Sequence, residues 1–393
     1  MPRALITFLG RTPRGEQGYR TTCYDFGDGA DCEPVAFFGW ALQRRLRPNR
    51  LVVLGTPGSM WDHLFEGDIA LGDAVEEERL ALVGEAERQA VTQERLDRLA
   101  PVLADRLGCE VRLRLISYCH TSREQEGLLR DLAEEVGQGD RVDLDITHGF
   151  RHLPMLTLLS ALHLRKVRSA KIAHIWYGAY DPDTGRAPVH DLAGLLDIAD
   201  WLEALSVYGH TGDYGVFGPL IGGETGERLR RAAFLETVNR IGQARSLLRQ
   251  VLERLEQGTD DPALALFREE LSWRLVWARQ DNYYLRQREL VLEYLRRERF
   301  LEAALTGWEA FTTRLQREED KSLDPDNMAH RESVRERFEA RERAIQPRTP
   351  RYRAYDSLRR LRNAVAHGSQ PKGGEVQRAL SSPQAMRELL ETL

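Results

Sequence analysis

The first half of the chain alternates short apolar runs with longer amphipathic segments. The short runs have the length and alternation of strands, and the segments between them repeat every three to four residues, as helices do. The pattern predicts strands over Leu5–Leu9, Leu51–Gly55, Val111–Ser117, Val142–Ile146 and Lys171–Tyr177. It predicts helices near Val35–Gln43, Glu76–Leu103, Arg123–Val136, Leu153–Val167 and Leu192–Val207. Strands separated by helices indicate an α/β fold, a Rossmann-like parallel sheet covered on both faces.

The second half carries long amphipathic patterns and no convincing strand, for example over Tyr284–Leu295 and Phe300–Leu315. It is predicted to be an all-α domain. A glycine-dense stretch, residues 208–228, separates the halves. Because such a composition favours neither packing nor a helix, we expect a linker there, between a domain of residues 1–207 and a helical effector region of residues 229–393. The alternation of Arg and Glu over Arg331–Arg343 is typical of a solvated helix.

Composition narrows the class of protein. The hydrophobic fraction is 42%, the charged fraction is 30% and the net charge is −5. No apolar run approaches the roughly 18 residues that a membrane span needs, so we expect a cytoplasmic protein without a membrane partner. The cysteines show no CxxC spacing, which favours free thiols over a zinc or disulfide role. These residues are Cys23, Cys32, Cys109 and Cys119.

Small and polar residues follow four of the predicted strands, at residues 10–13, 55–61, 117–121 and 147–151. Ligands of doubly wound sheets bind at the carboxyl ends of the strands, where glycine admits a ligand to the backbone and hydroxyl or guanidinium groups bind phosphate. The candidate ligand-binding residues are Gly10, Arg11, Thr12, Gly55, Thr56, Ser59, Thr147, His148, Gly149, Phe150 and Arg151. The first strand lacks a GxGxxG sequence, which argues against NAD or FAD. For Gly55–Ser59 a tight strand-to-helix turn is an equally good explanation.

A metal site at the same loop is a weaker hypothesis. His148 and His152 stand four residues apart at the start of a predicted helix, near Asp145. Zinc would need a third and fourth ligand, and the sequence offers no clear candidates. We therefore predict no metal, and expect Asp145 to hold the loop by hydrogen bonding.

A second candidate site lies near the end of the chain. Arg362, Asn363 and His367 fall at the end of a helix predicted over Tyr352–His367, and Gly368 is a natural residue to stop it. Asn363 and His367 share a helix face, whereas Arg362 is about 140° from His367, so it must reach around or the last turn must loosen. His can transfer a proton near neutral pH and Arg can stabilise the charge of a phosphodiester transition state. The spacing alone is common by chance.

Several phrases resemble a known family. Residues 145–149 spell the signature of the DxTHG family of CRISPR-associated proteins, and LVVLGTPGSMW, IWYGAYD and RAPVHDL accompany it in order, over roughly residues 4–213. The resemblance implies a CARF sensor, a Rossmann-like dimer that binds cyclic oligoadenylate made by type III CRISPR complexes. Strand-end loops of two protomers would form one symmetric pocket. Its lining would include Gly10, Arg11, Thr12, Thr147, His148, Gly149 and Arg151.

The Arg-polar-x3-His pattern resembles the HEPN ribonuclease motif, which DxTHG sensors often carry. The resemblance implies a homodimeric, metal-independent endoribonuclease of single-stranded RNA, with cyclic tetra- or hexa-adenylate as activator and higher assembly left open. His367 would be the acid/base or transition-state donor, Arg362 the phosphate stabiliser and Asn363 its positioning partner. Two alternatives remain: a ligand-sensing regulator that binds nucleic acid without cutting it, and a ring nuclease that degrades the cyclic oligoadenylate.

Overall fold

The computed structural model describes residues 2–12, 14–15, 18–32, 34–65, 76–149, 153–325, 327–371 and 374–393. The chain forms two compact units, Met1–Leu196 and Asp197–Leu393. The division therefore comes earlier than the predicted end of the first domain at residue 207. The strands are β1 (Arg3–Leu9), β2 (Arg14–Gly15), β3 (Gly18–Tyr19), β4 (Cys23–Asp25), β5 (Arg50–Gly55), β6 (Glu110–Leu115), β7 (Arg141–Asp145), β8 (Lys171–Gly178) and β9 (Arg186–Asp191).

The first unit is built on a sheet with the strand order β4-β9-β8-β7-β1-β5-β6. All neighbouring strands are parallel except β8 and β9. The predicted parallel, Rossmann-like sheet is confirmed, and an antiparallel strand with a short edge strand extends it. The helices that start in this unit are α1 (Phe38–Leu46), α2 (Glu76–Glu87), α3 (Gln93–Leu107), α4 (Ser122–Glu134), α5 (Leu153–Val167) and α6 (Gly194–Thr211).

Successive residues of the central strands point to opposite faces of the sheet, and both faces are covered. Leu5 and Leu51 are buried with the side chains of α1, α2 and α3, whereas Ile6 and Val52 are buried with those of α4 and α5. Such strands read as continuous apolar runs because neither face meets water. This is the pattern from which the sequence predicted them.

The second unit is helical throughout its described part. Its helices, after the last turns of α6, are α7 (Gly218–Ile221), α8 (Gly223–Thr237), α9 (Ile241–Glu256), α10 (Pro262–Arg274), α11 (Tyr283–Arg296), α12 (Phe300–Glu319), α13 (Met328–Arg343), α14 (Pro350–His367), α15 (Gly374–Ala379) and α16 (Pro383–Thr392). One hydrophobic core includes residues from Trp201 of α6 to Leu390 of α16. No helix in the described parts of the chain is long and apolar enough to cross a membrane.

The glycine-dense stretch is packed structure, which corrects the predicted linker at residues 208–228. Tyr214 and Phe217 are buried in the helical core, and two helices, α7 and α8, begin within the stretch. A Cβ atom at Gly226 would lie 2.1 Å from the carbonyl oxygen of Gly218. These glycines allow two backbone segments to approach closely. Glycine content alone does not distinguish such close packing from a flexible linker.

Gly226→Ala is therefore expected to destabilise the helical unit by about 2–4 kcal/mol, because one of the two backbone segments must move. Gly209→Ala is the matched control, since a Cβ at this helical glycine meets nothing within 4 Å. Alanine there should be neutral or stabilise by up to about 1 kcal/mol. Denaturant unfolding followed by circular dichroism measures both. Equal midpoints for the two variants would contradict this packing.

The prediction of four free cysteines is wrong for two of them. Cys23 and Cys32 form a disulfide with their Cα atoms 5.5 Å apart, within the usual range for the bond. Cys109 and Cys119 are free, as expected. A spacing of nine residues carries no signal for pairing, because the contact depends on the turn that follows β4.

The helix α13 is not fully solvated, in contrast to the prediction for Arg331–Arg343. Arg331, Val334 and Phe338 are buried along one face. The guanidinium of Arg331 forms an ion pair with Glu309 and donates to the carbonyl oxygen of Pro325 at 2.8 Å. The sequence did not predict this buried face because only two of its residues, Val334 and Phe338, are apolar.

Candidate ligand pocket and candidate active site

Four loops meet at the carboxyl end of the sheet. The chain continues from β1 to β5 on one side, and β7 returns to the other side, so the order of strands reverses at β1. Ligands of open α/β sheets bind at such a switch point. Here the structure has a cavity of about 390 Å³. Its lining residues are Phe8, Leu9, Gly10, Arg11, Leu54, Gly55, Thr56, Gly58, Ser59, Gln89, Ile116, Tyr118 and Gly149.

Gly10 and Gly149 bring the loops after β1 and β7 into direct contact. A Cβ atom at Gly10 would lie 2.8 Å from the backbone nitrogen of Gly149. Gly149 itself has a φ of 119°, a conformation that residues with a side chain rarely adopt. Both positions therefore require glycine, and the cavity has a wall of bare backbone where a ligand can approach N–H groups.

Asp145 holds the loop after β7, as predicted from its place in the sequence. One carboxylate oxygen accepts from the Thr7 hydroxyl at 2.6 Å, and the other accepts from the backbone N–H of Thr147 at 2.8 Å. The Thr147 hydroxyl in turn accepts from the N–H of Gly178 at 2.9 Å. Burial raises the pKa of Asp145 to about 6, although the hydrogen bond from Thr7 opposes the shift. Asp145 and Thr147 thus serve the frame of the loop.

His148 directs its ring inward, which differs from its predicted place in the ligand pocket. Its Nε2 accepts from the backbone N–H of Phe38 at 3.1 Å and lies 3.3 Å from the hydroxyl of Tyr24. Burial lowers the pKa of His148 to about 4, with a smaller contribution from His63. An acceptor at Nε2 makes the ring neutral with its proton on Nδ1. The residue links the loop to α1 and β4.

The two buried groups predict opposite pH effects on stability. His148 has a folded pKa of about 4 against 6.5 in the unfolded chain, so stability is lost as pH falls through that window. Asp145 has a folded pKa of about 6 against 3.8 in the unfolded chain, so its contribution to stability increases as pH falls from 6 toward 3.8. The stability of His148→Asn relative to the natural protein should rise by about 2.5 kcal/mol between pH 7.5 and 4.5. Over the same decrease in pH, the stability of Asp145→Asn relative to the natural protein should fall. Denaturant unfolding across this range measures both, and a pH-independent difference would contradict the burial of the ring.

The hydroxyls of Thr56 and Ser59 mainly build their own turn. Ser59 Oγ accepts from the N–H of Thr56 at 2.9 Å and lies 3.2 Å from the Thr56 hydroxyl. Trp61 donates its ring N–H to the carbonyl oxygen of Thr56 at 2.9 Å. Both hydroxyl residues border the cavity but are almost fully buried. The structural alternative for Gly55–Ser59, a tight turn, therefore describes these two side chains well.

Other predicted residues vary in their placement. Arg11 is exposed and borders the cavity, with no ion pair to a described residue. Thr12 lies outside the lining, and its hydroxyl is 3.4 Å from the sulfur of Met60. Phe150 and Arg151, together with His152 of the metal hypothesis, lie outside the described residues.

Two polar residues of the cavity are absent from the predicted ligand-binding residues, although one of them, Tyr118, lies in a strand-end loop that was recognised. Tyr118 follows β6 and donates its hydroxyl to the side chain of Gln89 at 3.1 Å, and both line the cavity. The ring of Tyr118 stacks on His120 with an interplanar angle of 8°. The aromatic residue at a strand end was a usable signal for Tyr118. Gln89 carried none, because it comes from the end of α2, well away from any strand end. Across the described ranges, no three His, Cys, Asp or Glu side chains group as a metal site requires.

The helix α14 places the second candidate site on a firm support. Thr349 caps its start by accepting from the N–H of Tyr352 at 3.0 Å. Tyr355 packs on Trp308 with ring centroids 5.1 Å apart and donates to Glu339 at 2.8 Å. The buried residues further along α14 are Leu358, Leu361 and Ala364. Packing therefore fixes the helix up to its last turn.

The last turn of α14 presents the predicted residues together. Arg362 donates from Nη1 to Oδ1 of Asn363 at 2.9 Å. Asn363 and His367 are both exposed. Gly368 ends the helix with a φ of 62°, and its N–H donates to the carbonyl oxygen of Ala364. Arg362 thus contacts Asn363, its neighbour in sequence, and its reach toward His367 stays a prediction.

Comparison with known proteins agrees with the fold of the first unit. Residues 4–182 match the family model described as CRISPR system endoribonuclease Csx1, CARF domain. The chain is also similar to CRISPR-associated protein MJ1674 of Methanocaldococcus jannaschii, with 27% identity over 237 residues. That match covers 54% of this chain and only 37% of the relative's length. The sheet, the glycine-lined cavity and these matches together show that the first unit is similar to the CARF domain of Csx1-like CRISPR-associated proteins.

Proposed function

We propose that this protein is an RNA endoribonuclease of type III CRISPR antiviral defence, activated by cyclic tetra- or hexa-adenylate. The observation that carries the proposal is the hydrogen bond from Arg362 to Asn363 beside the exposed His367. A guanidinium and an imidazole thus both lie in the last turns of a helix held by packing. The description of the matching family model, which names an endoribonuclease, supports the same activity.

The chemistry requires no metal. The 2′-oxygen of a ribose forms a bond to the adjacent phosphorus, its proton leaves to a base, and the bond from phosphorus to the 5′-oxygen breaks as that oxygen gains a proton. His367 serves as the proton acceptor or donor, and Arg362 stabilises the negative charge that develops on the phosphate oxygens. Asn363 orients Arg362. The products carry a 2′,3′-cyclic phosphate and a 5′-hydroxyl.

The sensor site is the cavity at the carboxyl end of the sheet. The bare backbone at Gly10 and Gly149 accepts the ribose-phosphate ring at close range, and Arg11 at the rim supplies positive charge. Tyr118 offers a ring face for an adenine base. A ligand that binds the active arrangement more tightly than the resting one shifts the protein toward cleavage.

The active form is a homodimer. On α5, which follows the loop after β7, Met155 and Leu159 lie one turn apart and are 74% and 54% exposed. Large apolar side chains aligned on one helix face favour burial against another protein surface. A second copy at α5 places two sets of strand-end loops near each other, as a symmetric ligand requires.

The effector chemistry is tested by the products of cleavage. Purified protein is incubated with end-labelled single-stranded RNA in EDTA and cyclic tetra- or hexa-adenylate, and the new ends are analysed. We expect fragments with 2′,3′-cyclic phosphate and 5′-hydroxyl ends. Intact RNA with tightly bound activator would favour the regulator that does not cut. Breakdown of the activator that persists in His367→Ala would indicate a ring nuclease in the first unit.

A further inference from the structure

Three residues of α14 form a straight row that ends at the candidate active site. Arg353, Arg360 and His367 are seven residues apart, and an ideal helix returns to within about 20° of the same direction at that spacing. Consecutive members are about 10.5 Å apart along the axis, so the row is about 21 Å long. All three side chains are exposed. Asn363 lies on the same side, one turn before His367.

The two arginines of this row differ from the other arginines of the helix. Arg351 forms an ion pair with Glu318, Arg359 with Asp356 at 2.7 Å, and Arg362 donates to Asn363. Arg353 and Arg360 have neither an ion pair nor a side-chain hydrogen bond within the described part of the structure. Asp356, the acid nearest the row on α14, is already engaged by Arg359. The row therefore keeps two full positive charges available to a ligand.

The length and chemistry of the row fit a polymer of phosphates. A small anion would contact one arginine, whereas about 21 Å of helix spaces the charges for successive contacts along a strand. Arginine binds phosphate through a planar fork of donors, and its charge is permanent. The two arginines offer charged donors, so contact with the sugar-phosphate backbone suits the row better than contact with base edges.

We propose that Arg353 and Arg360 form a phosphate-binding track that guides single-stranded RNA along α14 to His367. This inference rests on the proposed function and adds the substrate-positioning residues for that site. The track binds RNA without regard to sequence, because both contacts are to the backbone. It raises the occupancy of the site, and takes no part in the proton transfers.

RNA binding is measured in full-length protein carrying His367→Ala, so that cleavage does not interfere. Arg353→Ala and Arg360→Ala are added singly and together, and affinity for a labelled single strand is measured at several salt concentrations. Each change should weaken binding about three- to tenfold. Each should also reduce the slope of log affinity against log salt by about 0.7. Arg249→Ala, an exposed arginine of α9 without an ion pair to a described residue, is the matched control and should change neither quantity.

The outcomes separate the track from the proposed function. Unchanged affinity and salt slope in the double variant, with cleavage that still requires His367, would overturn the track alone. Loss of binding in the track variants, with no cleavage by the natural protein, would support the track and overturn the ribonuclease. Displacement of the RNA by poly-glutamate as effectively as by unlabelled RNA would reassign the row to an acidic protein and overturn the RNA track.

Discussion

His367→Ala is expected to lower the rate of activator-dependent RNA cleavage by at least about a hundredfold, the usual contribution of a general acid or base. The imidazole is exposed at the end of α14 and packs in no core, so its removal should leave stability within about 0.5 kcal/mol. Affinity for cyclic oligoadenylate should be unchanged, because the described residues that line the sensor cavity all belong to the first unit. Single-turnover cleavage and calorimetric titration provide the two readouts.

His210→Ala is the matched control for that variant. His210 is also exposed in the last turn of a helix, α6, but it has no arginine and asparagine beside it in sequence. We expect full cleavage activity from this control. Arg362→Lys should fall well below the natural rate, because lysine keeps the charge but loses the planar fork that bonds Asn363. Near-normal cleavage by His367→Ala would contradict the placement of the active site at this helix end.

Gly10→Ala is expected to weaken binding of cyclic oligoadenylate at least about tenfold. The new methyl group would lie 2.8 Å from the backbone nitrogen of Gly149, so the loops after β1 and β7 must separate. The shift moves the backbone wall of the cavity and disturbs the hydrogen bonds that Thr147 and His148 make. Calorimetry measures the affinity, and denaturant unfolding measures a loss of about 1–3 kcal/mol.

The control for this variant is Gly127→Ala in α4. A Cβ there meets nothing within 4 Å, and alanine favours a helix over glycine by up to about 1 kcal/mol. Its ligand affinity should equal that of the natural protein. If Gly10→Ala bound the activator as tightly as this control, the cavity at β1 and β7 would not be the sensor site.

The central strands were predictable because burial on both faces requires apolar side chains at successive positions. β1 and β5 appear as mostly apolar runs, β6 and β7 alternate apolar with charged residues, and these four strands and β8 were predicted to within a few residues. The edge strand β4 and its neighbour β9 were not predicted, since they are short or polar. The Gly-rich segment was misassigned because the sequence does not distinguish a glycine that permits contact, such as Gly226, from one that permits movement.

At the candidate ligand pocket, the sequence could not predict the directions in which side chains point. The Thr-His-Gly turn could be recognised from residue types, but the inward ring of His148 depends on the N–H of Phe38, which the fold supplies from a distant segment. The pairing of Cys23 with Cys32 and the approach of Gln89 to Tyr118 likewise arise only from tertiary contacts. At the end of α14 the helix itself fixes the geometry, so Asn363 and His367 could be placed on one face in advance.

The central claim is that ligand at the first unit controls cleavage at the second. The most direct test is the rate of RNA cleavage in EDTA as cyclic tetra- or hexa-adenylate is titrated, beside the binding curve of the same ligand. We predict little cleavage without ligand and a rate that rises with the fraction of protein bound, so that both curves share one midpoint. A cleavage rate that is the same at zero and saturating ligand would contradict the account.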